Sequence, residues 1–176
     1  MCAETSSRHE GEASSVNPFP AATLRRAPLV NDNYGRTFYS KHEDGSARSA
    51  DIVVPILLSI FPASSVIDIG CGIGAWLRAF ERNGIKDFMG IDGDYVPADM
   101  LQIPRQHFRA AELTRLSVVD RRFDIACSLE VAEHLPADCA EQFVELLTRA
   151  APVVLFSAAI PDQGGTHHVN EQWQSY

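Results

Sequence analysis

Basic residues are scarce in this chain: 15 Lys and Arg stand against 23 Asp and Glu, a net charge of -8 with His neutral. That shortage argues against a protein whose affinity comes from neutralising phosphates, and leaves room for a local basic patch at most. Cysteine is sparse too. The four thiols, Cys2, Cys71, Cys127 and Cys139, lack metal-ligand spacing. Two of them fall in apolar strand or turn contexts, where Cys behaves as a small hydrophobe, so a reducing, cytoplasmic compartment is expected. No apolar run is long enough to span a bilayer. Met1 to Asn17 is rich in Ser and Glu without an apolar core, so it reads as neither signal peptide nor membrane anchor. On composition, residues 1–33 are expected to form a mobile tail. No internal repeat is visible.

What remains is about the length of one domain, expected over residues 34–176. From Ser46 to Phe61 the density of apolar positions predicts a largely buried helix, with Pro55 tolerated or kinking it. A β-branched strand follows over Ser65–Ile69, then a helix from Gly74 to Asn83, stopped by Gly84. Further strands are expected at Asp87–Ile91, His107–Ala110, Phe123–Leu129 and Pro152–Ala158, with a helix at Pro136–Ala150. Strands alternating with helices imply an α/β fold with a doubly wound, mostly parallel sheet.

The densest information lies in Val66-Ile67-Asp68-Ile69-Gly70-Cys71-Gly72-Ile73-Gly74-Ala75. A strand ends in Asp68, glycines fall at alternate positions, and a helix begins at once. Glycine permits positive φ and a close backbone approach, so N–H groups are expected to reach toward a ligand here. The spacing is not the Gly-x-Gly-x-x-Gly of nicotinamide enzymes, although Ala75 sits where that fingerprint also allows alanine. A carboxylate at Asp68 would repel a pyrophosphate and suits an ammonium. In such sheets ligands bind at the carboxyl ends of the strands, so residues just after each strand carry the expectation. Asp92, 22 positions after Gly70, stands beside Gly93 where an acidic residue accepts hydrogen bonds from ribose hydroxyls; a solvated turn aspartate is the bland alternative.

Two further runs stand out. Ser128-Leu129-Glu130-Val131-Ala132-Glu133-His134-Leu135 follows the fourth strand. Its acidic residues and His134 either touch substrate or organise the turn through backbone bonds, and the second role is favoured for His134. After the fifth strand, Gly164-Gly165-Thr166-His167-His168-Val169-Asn170-Glu171-Gln172-Trp173 reads as an active-site loop. His167, His168 and Glu171 invite a metal reading, but no further ligand pair supports it, and no metal is expected. A base near neutral pH suits the two histidines better. Upstream, Tyr34, Phe38, Tyr39 and His42 either cover a ligand or pack the segment onto the sheet.

The Asp-x-Gly-x-Gly-x-Gly run resembles motif I of the class I S-adenosylmethionine-dependent methyltransferases. Glu-Val-x-Glu-His-Leu resembles the fourth motif of their small-molecule members, and His-Val-Asn-Glu-Gln-Trp resembles a bacterial subfamily. The resemblance covers roughly residues 35–176. It implies S-adenosylmethionine as cofactor, held by Asp68, Gly70, Cys71, Gly72, Gly74, Asp92 and Gly93. Glu112 and Leu113 would read adenine, with Ser128 and Leu129 near the transferable methyl. It implies methyl transfer to a small-molecule hydroxyl or amine, with His167, His168 and His134 as candidate catalytic groups. The competing readings are an NAD-dependent oxidoreductase and a non-catalytic ligand- or partner-binding module. The class I sheet has seven strands and five are placed here, so the domain is expected to lack its last two strands. The open fifth-strand edge would then invite a second copy. Neither nucleic acid nor membrane is expected as a partner.

Overall fold

The first helix, α1, runs over Arg36–Ile60 and continues through Gly45 and Pro55. The computed structural model describes residues 36–174, without the side chains of Phe38 and residues 41–44; the expected tail, Tyr34 and the side chain of His42 lie outside them. The helix starts ten residues before the expected Ser46, because its first turns are polar and carry no apolar periodicity to read. Nor is it largely buried. Ala50 and Val54 are wholly buried and Leu57 and Leu58 pack beside them, but Ile52, Ile56 and Ile60 are 64%, 55% and 61% exposed. A helix apolar on several sides can turn only one stripe toward its neighbours.

Five strands follow: β1 Ser65–Ile69, β2 Asp87–Asp92, β3 Phe108–Ala110, β4 Ile125–Leu129 and β5 Val153–Ser157. They form one parallel sheet in the order β3-β2-β1-β4-β5. The chain order reverses at β1, which lies between β2 and β4. This is the doubly wound arrangement expected from the alternation of strands and helices, with a switch point beside β1. α2 (Ala75–Arg82) and α1 cover one face; α3 (Ala140–Ala150) covers the other. Val66 therefore packs with Leu77 and Phe80, while Ile67 and Ile69 pack with Phe143, Leu146 and Leu147. β1 is buried at every position, and β5 is half-exposed along its length.

Helix α2 lies unusually close to β2. A Cβ on Gly90 would come within 2.6 Å of Cys71 Sγ and 2.9 Å of Leu77 Cδ1, so only glycine fits that strand position. α2 opens on Gly74 in the left-handed region, and Gly84 (φ 99°) follows its end as expected. Two boundaries move inward by two residues or more from their expected places, the others by one at most. β4 begins at Ile125, because Asp124 is drawn into bonds with the start of β1. α3 begins at Ala140, after a 3₁₀ turn over Ala137–Cys139.

That Asp124 link is a small device that sets the register of β4 on β1. Its Oδ2 accepts from Ser64 N (2.7 Å), Ser65 N (2.9 Å) and Ser65 Oγ (3.1 Å), and its own N–H donates to Ser65 Oγ at 3.0 Å. These bonds, led by that from Ser64, hold its carboxyl below the usual aspartate range. The group is exposed, so water competes for each bond. Replacing Asp124 with Ala should lower unfolding free energy by about 1 kcal/mol, read as an earlier urea midpoint with an unchanged slope.

Candidate functional site

The glycine turn between β1 and α2 sits at the centre of the carboxyl edge of the sheet. Gly70, Gly72 and Gly74 all have positive φ (88°, 53° and 88°), as the sequence reading required. The space around them is also filled: a Cβ at Gly70 would meet Val131 Cγ2 at 2.3 Å, and one at Gly72 would meet the Tyr39 ring at 3.1 Å. Tyr39 thus packs onto the turn from α1. The N–H groups, however, are not presented to a ligand as expected. Those of Gly70 and Cys71 donate to Ile91 O (2.7 and 3.2 Å), that of Gly74 to Cys71 O (2.9 Å), and that of Gly72 to Asp92 Oδ2 (2.6 Å). With these donors engaged inside the chain, the turn is poorly equipped to cradle a phosphate.

Two carboxylates replace that missing anion site with the opposite polarity. Asp68 lies in mid-sheet, paired in register with Gly90 and Cys127, and Asp92 closes β2. Both are buried, and no ion pair to either occurs among the described residues. Asp92 is well bonded: Oδ1 accepts from Gly93 N and Tyr95 Oη, each at 2.6 Å. Burial raises its pKa nonetheless, opposed by the Tyr95 hydroxyl and by the Gly72 and Gly93 N–H groups. The Asp68 carboxyl is pushed up to about 8, by burial first and then by Asp92. Burial likewise pushes the thiols of Cys71 and Cys127 up, with Asp68 adding to both, so these are protonated packing groups and not nucleophiles.

The other expected residues fall along the same edge. After β3, Leu113 is buried and Glu112 is exposed, accepting from Thr114 Oγ1 at 3.1 Å. Ser128, near the end of β4, is fully buried with no hydrogen-bond partner for its hydroxyl, and Leu129 follows it half-buried. Glu130 is held in the left-handed region (φ 58°) between its N–H on Ser157 O (3.0 Å) and Ser157 Oγ on its Oε1 (2.7 Å). Next to it, Glu133 is fully buried, and neither carboxylate oxygen reaches hydrogen-bond geometry with a partner. Burial pushes its carboxyl up; its own N–H opposes this, the Glu130 charge adds to it, and His134 and the Ala159 N–H oppose it more weakly.

The two adjacent histidines face different surroundings: His167 is exposed at φ 61°, while His168 is half-buried. His134 pairs with His168, ring centroids 5.0 Å apart and edge to face. Each ring is tied at Nδ1, His168 to Glu171 Oε1 (2.8 Å) and His134 to His167 O (3.2 Å). The Glu133 carbonyl accepts from Val169 N (2.8 Å) and Asn170 N (3.1 Å), fastening the late loop to the turn after β4. Sequence reasoning named Glu133 without its burial, and missed the Tyr95 hydroxyl on Asp92. The signal for Glu133 was present, since consecutive strands that pair side by side bring their following loops together.

Comparison with known proteins accords with this geometry. A family model described as "Methyltransferase domain" matches residues 39–175. The chain belongs to that family. Among curated members, it is 27% identical over 101 residues to the mitochondrial ubiquinone biosynthesis O-methyltransferase of Dictyostelium discoideum, covering 48% of this chain and 31% of that one. It is 32% identical over 91 residues to the malonyl-[acyl-carrier protein] O-methyltransferase of Pseudescherichia vulneris, covering 51% and 36%. The chain thus spans about a third of the length of these curated methyltransferases. In fold it resembles the magnesium protoporphyrin IX methyltransferase of Synechocystis, solved with bound SAH, at TM-score 0.58 and 17% identity over 81% of this chain and 82% of that one. It also resembles a SAM-bound amino pentose methyltransferase of Micromonospora echinaspora, at TM-score 0.56 and 19% identity over 76% and 64%. The α/β, doubly wound class I methyltransferase architecture is therefore established for this domain. No helix among the described residues is long and apolar enough to cross a membrane.

The raised pKa of Asp68 gives this methyltransferase domain a distinctive pH response. The folded value lies near 8 and the reference value is 3.8, so between them the folded state binds the extra proton. This contribution is fully present below the unfolded pKa and is lost as pH rises toward 8. The parent protein should lose melting temperature between pH 6 and 8, and Asp68→Asn, which cannot ionise, should flatten that fall; an identical slope in both proteins would contradict the assignment.

Proposed function

We propose that this chain binds S-adenosylmethionine across the carboxyl ends of β1 to β4 and directs its methyl to a small-molecule hydroxyl or amine. The observation that carries this reading is the pair of buried carboxylates beside a glycine turn whose N–H groups are engaged internally. A pyrophosphate would find negative charge and few donors there. A ligand with an ammonium, a sulfonium and a ribose diol finds complementary groups.

The cofactor, when bound, supplies a methyl made electrophilic by its sulfonium. The chain's share is placement and proton handling. Asp68 meets the ammonium, and its ionisation is favoured by that partner. Asp92 takes the ribose hydroxyls; the Tyr95 hydroxyl already on it shows that its oxygens accept O–H donors. Gly70, Cys71, Gly72, Gly74 and Gly93 let the ligand lie against backbone. Glu112 and the Leu113 N–H read the adenine edge, while Ser128 and Leu129 line the approach to the methyl. The acceptor lies between this cofactor site and the loop after β5. There the exposed His167 ring receives the acceptor's proton, and His134 and His168, each tied at Nδ1, position the acceptor. The names of the curated relatives, both O-methyltransferases, support an oxygen acceptor.

Calorimetry should show binding of S-adenosylhomocysteine and none of NAD. Charge-assisted hydrogen bonds contribute about 1.5–3 kcal/mol, so Asp92→Ala should weaken S-adenosylhomocysteine at least about tenfold. Unchanged affinity in a folded variant would remove the ribose assignment. Screening hydroxyl and amine metabolites with methyl-labelled cofactor identifies the acceptor. On that acceptor, His167→Gln should slow turnover by about 10²–10⁴ while leaving cofactor affinity intact. Near-parent turnover would reassign His167 to loop ordering.

A further inference from the structure

The buried Glu133 and its two imidazole neighbours form a constellation that methyl transfer by itself does not explain. Glu133 is fully buried, yet neither carboxylate oxygen has a hydrogen-bond partner among the described residues. A buried carboxylate in that condition is costly unless a cation accompanies it or a proton neutralises it. One oxygen of Glu133 and one ring nitrogen each of His134 and His168 lie within 4.8 Å of one another. We propose that Glu133, His134 and His168 are the ligands of a divalent first-row transition ion. The inference builds on the reading of this loop as the acceptor site, and gives that site a second component.

Three features of the surroundings support a cation here over a simple polar cluster. The donor set, two imidazoles and one carboxylate with remaining positions open, is the type used where an ion must also meet a substrate. Tetrahedral bonds of about 2.0–2.2 Å place donors about 3.3–3.6 Å apart, so side-chain movements of about an ångström close a set whose atoms lie within 4.8 Å of one another. The outer contacts also match. A ligating histidine characteristically donates its other ring N–H to a carboxylate or carbonyl, fixing the tautomer with the remaining nitrogen as the electron-pair donor. His168 Nδ1 meets Glu171 Oε1 at 2.8 Å, and His134 Nδ1 meets His167 O at 3.2 Å. An acceptor carries only lone pairs at the His167 carbonyl, so Nδ1 of His134 must be the donor and Nε2 the side offered to the ion.

The backbone holds this geometry from both sides. Val169 and Asn170 N–H groups close on the Glu133 carbonyl. Gly165 lies so near the His168 ring that a Cβ there would fall within 2.2 Å of its atoms, so the ring is held against the loop backbone. The imidazoles select for manganese, cobalt or zinc over magnesium, which prefers oxygen ligands. An ion held there would lower the pKa of an acceptor hydroxyl bound to it and so ease loss of that proton.

The test uses the full chain, stripped with chelator and titrated calorimetrically with Mn²⁺, Co²⁺ and, for contrast, Mg²⁺. Expected is one Co²⁺ or Mn²⁺ per chain, with Mg²⁺ at least about tenfold weaker. Glu133→Gln and His168→Ala should each weaken Co²⁺ at least about tenfold, while His167→Gln, whose ring is no ligand, keeps it. Co²⁺ absorption gives a second reading, because ligation by these residues adds no sulfur charge-transfer band and a cysteine site would. S-adenosylhomocysteine binding by every variant confirms that the domain is folded. The proposal is overturned if the parent chain takes up no stoichiometric Mn²⁺ or Co²⁺, or if both ligand variants bind them as the parent does. Neither readout depends on turnover, so failure here leaves the methyl-transfer reading untouched, and loss of cofactor binding in the parent would sink that reading alone.

Discussion

The carboxylate of Asp92 is the point on which the edge of this sheet is organised. It bonds the N–H of Gly72 in the turn after β1 and the N–H of Gly93 just beyond β2, both at 2.6 Å. One side chain thus ties together the two loops that flank the switch point. Charge-assisted bonds of this length, shielded from water, are about twice as strong as neutral ones, which offsets part of the cost of burying the group. The glycines answer the same constraint. With Val131 against Gly70 and Tyr39 against Gly72, a side chain at either position would displace the turn from the carboxylate that holds it.

Polarity follows from this arrangement. A glycine turn at the head of a helix is ordinarily read as an anion site, because its N–H groups point outward. Here they point inward, to Ile91, Cys71 and Asp92, and two buried carboxylates take over the local field. The same backbone shape is thereby suited to a ligand of the opposite charge. Which way the donors face, not the presence of glycine, separates the two classes of site.

The second half of the site depends on the pairing of β4 with β5. Those strands are parallel neighbours, and the segments that leave them end on the same side of the sheet. Glu130 is locked to Ser157, and Glu133 to Val169 and Asn170, so the two loops behave as one unit. Positive φ at Glu130 and at His167 is tolerated because these bonds over-determine the backbone. A buried carboxylate, two tied imidazoles and an exposed third result from residues more than thirty positions apart.

The sequence by itself determined the succession of strands and helices, because β-branched runs and glycine punctuation are local signals. It also determined where chemistry would concentrate, since in a parallel sheet that place is the end of each strand. Asp68, the three alternating glycines, Asp92, and the Glu-His and His-His runs were all legible on that ground. Tertiary structure alone decided how they combine. The early turns of α1 were hidden because a polar helix start has no periodicity to read, and the exposure of Ile52, Ile56 and Ile60 depends on which stripe meets α2. The inward aim of the glycine-turn N–H groups required Asp92 to be brought beside Gly72 by strand pairing. The partnership of His134 with His168 could not be read from the chain, because it joins two loops thirty-four positions apart. Strand neighbours bring distant ones together.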